Sequence, residues 1–133
     1  MGTFRSLEEA RAFFEQDRFA TENGAVIEEL GENWSVCGMD VRPGHRNAAG
    51  GQMVGAAFLL CDFAFAVAAN NVHRLTVAQQ VSINFLNPLR GSRLTARAAC
   101  RKDGRVSCVY TVDITDDTGR DIAQAVVTGF KLK

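Results

Sequence analysis

From Met53 to Ala69 the chain carries one charged side chain, Asp62, in an otherwise apolar run rich in alanine. No other feature constrains the fold as tightly. On a helix such a run is apolar nearly all round, so it must be covered nearly all round. It lies near the short limit for a membrane span and holds a carboxylate, so a buried helix in a soluble protein accounts for it better. Burying an unpaired carboxylate is costly, and a chain keeps one there when it is paired or used. Burial also tends to raise a carboxyl pKa, which suits a general base. The plainer alternative is an Asp that surfaces at a subunit seam or pairs with an arginine.

The material to cover this helix is strand. Val81, Ile83 and Phe85 alternate with Ser82, Asn84 and Leu86 over 81–86. Leu94, Ala96, Ala98 and Cys100 share one face over 94–101, and Val106, Cys108, Tyr110, Val112 and Ile114 share one over 106–115. Period-two patterning of this kind marks strands with one wet face. Asp103-Gly104 is a hairpin signal, Asp117-Thr118-Gly119 a second turn, and 121–132 a last strand. Residues 24–30 and 34–41 read as two earlier strands joined at Gly31-Glu32-Asn33. These strands are expected to run as an antiparallel meander. At the N-terminus, Ser6 and Glu9 have capping-box spacing, predicting a helix from Ser6 to near Arg18. The chain thus reads as one α+β domain over 1–133, with residues 1–20 a helical extension. One curved sheet covers one side of the helix, and a second copy of the chain is the natural cover for the other.

The loop before the long helix, residues 42–52, is the second chemical signal. Pro43 disfavours helix there, and Gly50 and Gly51 allow a ligand close to the backbone. A helix N-terminus offers free N–H groups and partial positive charge, the makings of an oxyanion site. Asn47 is placed to orient a carbonyl or a water. His45, with no visible partner, reads as a solvated loop histidine, and His73 as structural.

Composition excludes several classes. Fifteen basic and fifteen acidic residues cancel, so no global field draws the chain to nucleic acid or membrane. Residues 1–20 carry acidic side chains in an amphipathic pattern, which reads against a secretory leader. Cys37, Cys61, Cys100 and Cys108 show no metal-ligand spacing and read as reduced thiols of a cytoplasmic protein. No G-x-S-x-G elbow and no G-x-G-x-x-G after a strand are present. No cofactor and no metal are expected.

The segment HRNAAGGQMVGAAFLLCDFAFAVAANN resembles the loop and central helix of the hotdog-fold acyl-CoA thioesterases, most of all their phenylacetate-degradation (PaaI-like) branch. That branch reads N-x-x-G-x-x-H-G-G, then a helix bearing D-x-A-x-A. The stretch INFLNPLRGSRLTARAACRKDGR resembles the same family's strand-turn-strand pattern. The likeness covers residues 24 to 133. It implies a curved antiparallel sheet wrapped around a long central helix. By position, Asn47 and Gly50 fall on the loop Asn and Gly, Asp62 on the catalytic carboxylate, and Val54 on the backbone amide that polarises the thioester carbonyl. Where the family shows His-Gly-Gly, this chain has Met53-Val54-Gly55.

The resemblance implies hydrolysis of an acyl-CoA or aryl-CoA thioester, with the CoA thioester as substrate. Asp62 is expected to serve as general base or as nucleophile. Met53, Gly50, Gly55, Phe58 and Phe63 are expected to line the substrate pocket. It further implies a homodimer or homotetramer whose active site is shared between two chains. A second reading, favoured by the Met53-Val54 pair, is a hotdog protein that binds an acyl thioester without turning it over. A hydratase reading is weaker, because Met53 stands where its histidine would be.

Overall fold

The computed structural model of the chain describes residues 2–133. Ser6 caps α1 (Leu7–Phe14), its hydroxyl accepting from the Glu9 amide at 3.1 Å. The helix stops at Phe14, short of the predicted Arg18. Tight turns at Gln16 and Asp17, whose amides reach Phe13 O and Phe14 O, break it, and a second helix, α2 (Arg18–Glu22), follows. The break lets Phe14 pack edge-on against Phe63 of the central helix, ring centroids 5.7 Å apart. The helical extension therefore reaches Glu22 rather than residue 20.

β1 (Val26–Gly31) and β2 (Trp34–Asp40) form a hairpin through Glu32-Asn33. Asn33 takes a left-handed conformation in this turn, φ 61°, which asparagine tolerates better than most side chains. After a 3-10 turn at Pro43–His45 comes α3 (Val54–Asn70), starting one residue after the predicted Met53. β3 (Thr76–Phe85), β4 (Arg93–Asp103), β5 (Ser107–Asp116) and β6 (Asp121–Lys131) complete the chain. β3 begins five residues before the predicted Val81.

All six strands join one antiparallel sheet in the order β1-β2-β4-β5-β6-β3. The simple meander expected from the sequence therefore holds for β4-β5-β6 and fails for β3, which lies at the far edge beside β6. The connection explains why both are possible. β4, β5 and β6 are joined by short turns that leave no choice but adjacency. Residues 86–92 between β3 and β4 can extend over roughly 23 Å, whereas three strand spacings need about 14 Å. Asp116 holds that connection down. Its buried carboxylate accepts from the amides of Arg90, Gly91, Thr118 and Arg120 and from the Thr118 hydroxyl.

The concave face of the sheet holds α3. Small residues on both surfaces, Ala57, Ala64 and Ala68 of the helix and Ala96, Ala98 and Ala125 of the sheet, let the two layers close. Phe65 fills the gap over Gly129, where a Cβ would stand 2.7 Å from its ring, and meets Tyr110 edge-on. Ser35 Oγ donates to the Ala64 carbonyl at 2.7 Å, fixing β2 against the helix. The predicted inner faces of β4 and β5 are the buried ones, from Leu94 to Ala98 and from Cys108 to Ile114; Val106 lies outside the strand and is exposed.

The other side of α3 is not left wholly to a second copy, as the sequence suggested. α1 and α2 cover it around Phe63, which is 2% exposed. The helix is most open toward its start, where Val54 and Phe58 are exposed and Leu59 and Asp62 are half-buried. Among the described residues no helix is long and apolar enough to cross a membrane.

Candidate active site

The 42–52 loop is built around two polar side chains. Asn47 Oδ1 accepts from the amides of Ala49 and Gly51, both at 3.0 Å, and the Asn47 amide donates to Gly51 O at 2.7 Å. Gly50 takes φ 86°, a conformation that a side chain would strain, with open space around it. The loop is thus a small closed hairpin rather than a slack connector. Asn47 shapes it through Oδ1, and its Nδ2 makes no hydrogen bond among the described residues.

His45 is buried, not solvated as its sequence context implied. Its Nδ1 accepts from the Arg42 amide at 3.0 Å, which places the proton on Nε2, 3.3 Å from Asn23 Oδ1. Burial, with Arg42 nearby, holds its pKa below the ordinary value. With Arg42 Nη1 donating to Glu22 O at 3.0 Å, this histidine ties the loop to the end of α2. A neutral, doubly bonded ring is a fastener. His73 is likewise structural, its Nε2 2.8 Å from Leu132 O.

The loop delivers the start of α3. The Met53 amide donates to His45 O at 2.7 Å, and the next two amides, of Val54 and Gly55, have no acceptor among the described residues. They are the free donors of a helix N-terminus, with the helix dipole behind them. The Met53 side chain is about half exposed at this mouth.

Asp62 lies further along the helix. Among the described residues its carboxylate has no hydrogen bond and no ion pair. Burial, reinforced by the negative charge of Asp17, raises its pKa above the ordinary carboxylate value. Its neighbour Cys61 is fully buried and its thiol is pushed up to about 12, so it stays neutral. Asp62 opens on a pocket of about 240 Å³ walled by Asp17, Phe19, Phe58, Leu59 and Phe63. Met53 lines an adjoining hollow with His45, and Phe19, Gly55 and Leu59 wall both spaces. Of the residues expected at the substrate pocket, Gly55, Phe58 and Phe63 line this space with Asp62, Met53 lines only the adjoining hollow, and Gly50 lines neither. Asp17 and Phe19, which the sequence did not single out, join them from α2 and its cap. Nothing local marks those two, since their place depends on how the N-terminal helices fold back.

Val54 is elsewhere. It lines a separate hollow with Phe85, Leu86 and Pro88. Eight positions separate Val54 from Asp62, which at the rise of a helix is about 12 Å along the axis. One carbonyl cannot touch both groups of a single chain. Among the described residues no group of three metal-ligating side chains gathers.

The model of the thioesterase superfamily matches residues 52–123, which include α3 and Asp62. The chain is 33% identical over 124 residues to the acyl-coenzyme A thioesterase PaaI of Escherichia coli K12, covering 90% of this chain and 86% of that protein. The solved structure of the PaaI protein from the phenylacetic acid degradation operon of E. coli superposes with a TM-score of 0.88 at 28% identity, covering 96% of this chain and 97% of that one. A protein of Streptococcus pneumoniae TIGR4 described as a hypothetical thioesterase and solved with coenzyme A superposes with a TM-score of 0.81 at 28% identity, covering 88% of this chain and 94% of that one.

Proposed function

The chain belongs to the thioesterase superfamily as a hotdog-fold, PaaI-like thioester hydrolase, and on that premise we propose that it cleaves acyl-CoA thioesters to the free acid and CoA with Asp62 as the reacting carboxylate. The observation that carries this reading is the unpaired Asp62 carboxylate, facing an apolar pocket with its pKa raised by burial. Ionised, it takes a proton from water attacking the thioester carbonyl, or attacks that carbonyl itself. By the first route water adds to the acyl carbon, the C–S bond breaks, and the proton taken by Asp62 passes to the departing CoA sulfur. By the second the C–S bond breaks to leave an acyl–Asp62 anhydride, which water then hydrolyses to the free acid, restoring the carboxylate and supplying the proton of the CoA thiol.

The oxyanion of the tetrahedral intermediate requires donors about 3 Å away. The free Val54 amide is the donor of choice, joined by Gly55, and their distance from Asp62 calls for a second copy of the chain. Exposed Val54, Phe58, Phe85 and Leu86 form an apolar surface around the helix start for that copy to cover. The site is then composite: Asp62 from one chain, the Val54 amide from its partner. Asn47 serves by holding the loop that aims this amide, with Nδ2 left over for a carbonyl or water. Met53 and Val54, in place of the family's His-Gly, keep the backbone donor and make the mouth more apolar, which favours a greasy acyl group.

The test is thiol release from acyl-CoAs of graded length, wild type against Asp62→Asn. Turnover by the wild type, lowered about a hundredfold or more in the variant, supports the assignment. Equal turnover rejects Asp62 as the reacting group, and acyl-CoA binding without release by the wild type favours the binding protein instead.

A further inference from the structure

The Asp62 pocket holds two carboxylates and, among the described residues, no lysine, arginine or histidine in its lining. We propose that Asp17 is a specificity-determining residue that restricts this pocket to uncharged acyl groups and excludes those ending in a carboxylate. The inference rests on the reading of Asp62 as the reacting carboxylate and adds the class of acyl group.

Four observations support it. First, the remaining walls are aromatic and aliphatic: Phe19, Phe58, Leu59 and Phe63. Such walls hold an alkyl or aryl group and offer an anion nothing to replace its water. Second, the Asp17 carboxylate is unoccupied. It stands at the N-cap of α2, where an aspartate ordinarily turns back to bond the first amides, yet its backbone (φ −81°, ψ 74°) leaves it making no cap bond. Third, the nearest cation along the chain is committed elsewhere, with Arg18 Nε on Glu22 at 2.6 Å. Fourth, the wall that carries Asp17 is fixed. Ala20 is buried beneath it, and Arg42 and His45 hold its far end through Glu22 O and Asn23.

An acyl chain seated against Asp62 therefore extends past Phe58 and Phe63 under the field of Asp17. A methyl terminus is indifferent to that field; a terminal carboxylate is repelled by it and finds no cation in the walls to offset the repulsion. Asp17 lies outside the stretch matched by the family model, residues 52–123.

The experiment compares kcat/KM for pentanoyl-CoA and glutaryl-CoA, which have equal chain length and differ in the terminal carboxylate. Wild type should favour pentanoyl-CoA by about tenfold or more, the scale of one screened charge–charge contact. Asp17→Asn should narrow the ratio by raising the glutaryl rate, and Asp17→Lys should narrow it further or invert it. Circular dichroism melts check that both variants fold. Equal kcat/KM for the two thioesters in wild type, or an unchanged ratio in both folded variants, overturns the role of Asp17 and leaves the hydrolase reading standing. Release from neither thioester overturns both.

Discussion

Asp17 and Asp62 present their carboxylates to one pocket from different elements, and the charge of Asp17 adds to burial in holding the Asp62 carboxyl above its ordinary pKa. Two consequences share one origin. Activity needs ionised Asp62, so kcat/KM should rise with pH along an acid limb whose midpoint lies above the usual value of 3.8. In Asp17→Asn that limb should move to lower pH, as measured by initial rates across a buffer series; an unmoved limb would separate the two groups. Stability should run the opposite way. A carboxyl with a raised folded pKa binds more protons in the native state, so stability falls as pH rises from 3.8 through the folded value. Asp62→Asn should melt at or above the wild-type temperature near neutrality and lose that slope.

Val54 provides a backbone donor that can be removed without touching the helix. It is the first residue of α3, where proline is well tolerated, and Met53 already has the extended conformation (φ −67°, ψ 133°) that proline requires before it. Val54→Pro should therefore keep the melting temperature within a few degrees and lower kcat by about a hundredfold, the usual cost of one oxyanion donor. Wild-type kcat in the folded variant would assign the oxyanion to other groups.

A composite site predicts complementation. Asp62→Asn and Val54→Pro are each expected to be inactive as pure proteins. Mixed by co-refolding, they should form hybrids with one intact site, returning about a quarter of wild-type turnover for random pairing in dimers. Light scattering on the same samples should show an oligomer. A mixture no more active than its components would mean that Asp62 and Val54 do not meet across chains.

Asp116 is the buried carboxylate that the fold uses rather than the chemistry. Burial alone would raise its pKa, but the Thr118 hydroxyl and the amides of Gly91, Arg90 and Arg120 outweigh it and hold the group well below the usual range. Its contribution is present above pH 3.8 and is lost as pH falls toward the folded value. Asp116→Ala strands those donors and should destabilise the protein by about 3 kcal/mol or more in urea titrations. A loss under 1 kcal/mol would show that the 86–92 connection holds without it.

The chain's order of residues alone determined the span of α3, the singular place of Asp62 on it, the Ser6 cap, a turn at Gly31-Glu32-Asn33 and the β4-β5-β6 hairpins. Each of these follows from periodicity, capping or turn chemistry acting over a few residues. The family likeness was carried by the same local stretches. The edge position of β3 was a different matter, because the 86–92 connection is long enough for more than one neighbour and the choice falls to sheet closure around the helix. His45 could be seen as buried only once Asn23, far away in the chain, had been brought against it. Asp17 and Phe19 reach Asp62 through a break after Phe14, at turns that also let that ring pack on Phe63. Which groups share a pocket is settled by such long-range contacts, and local pattern carries no record of them.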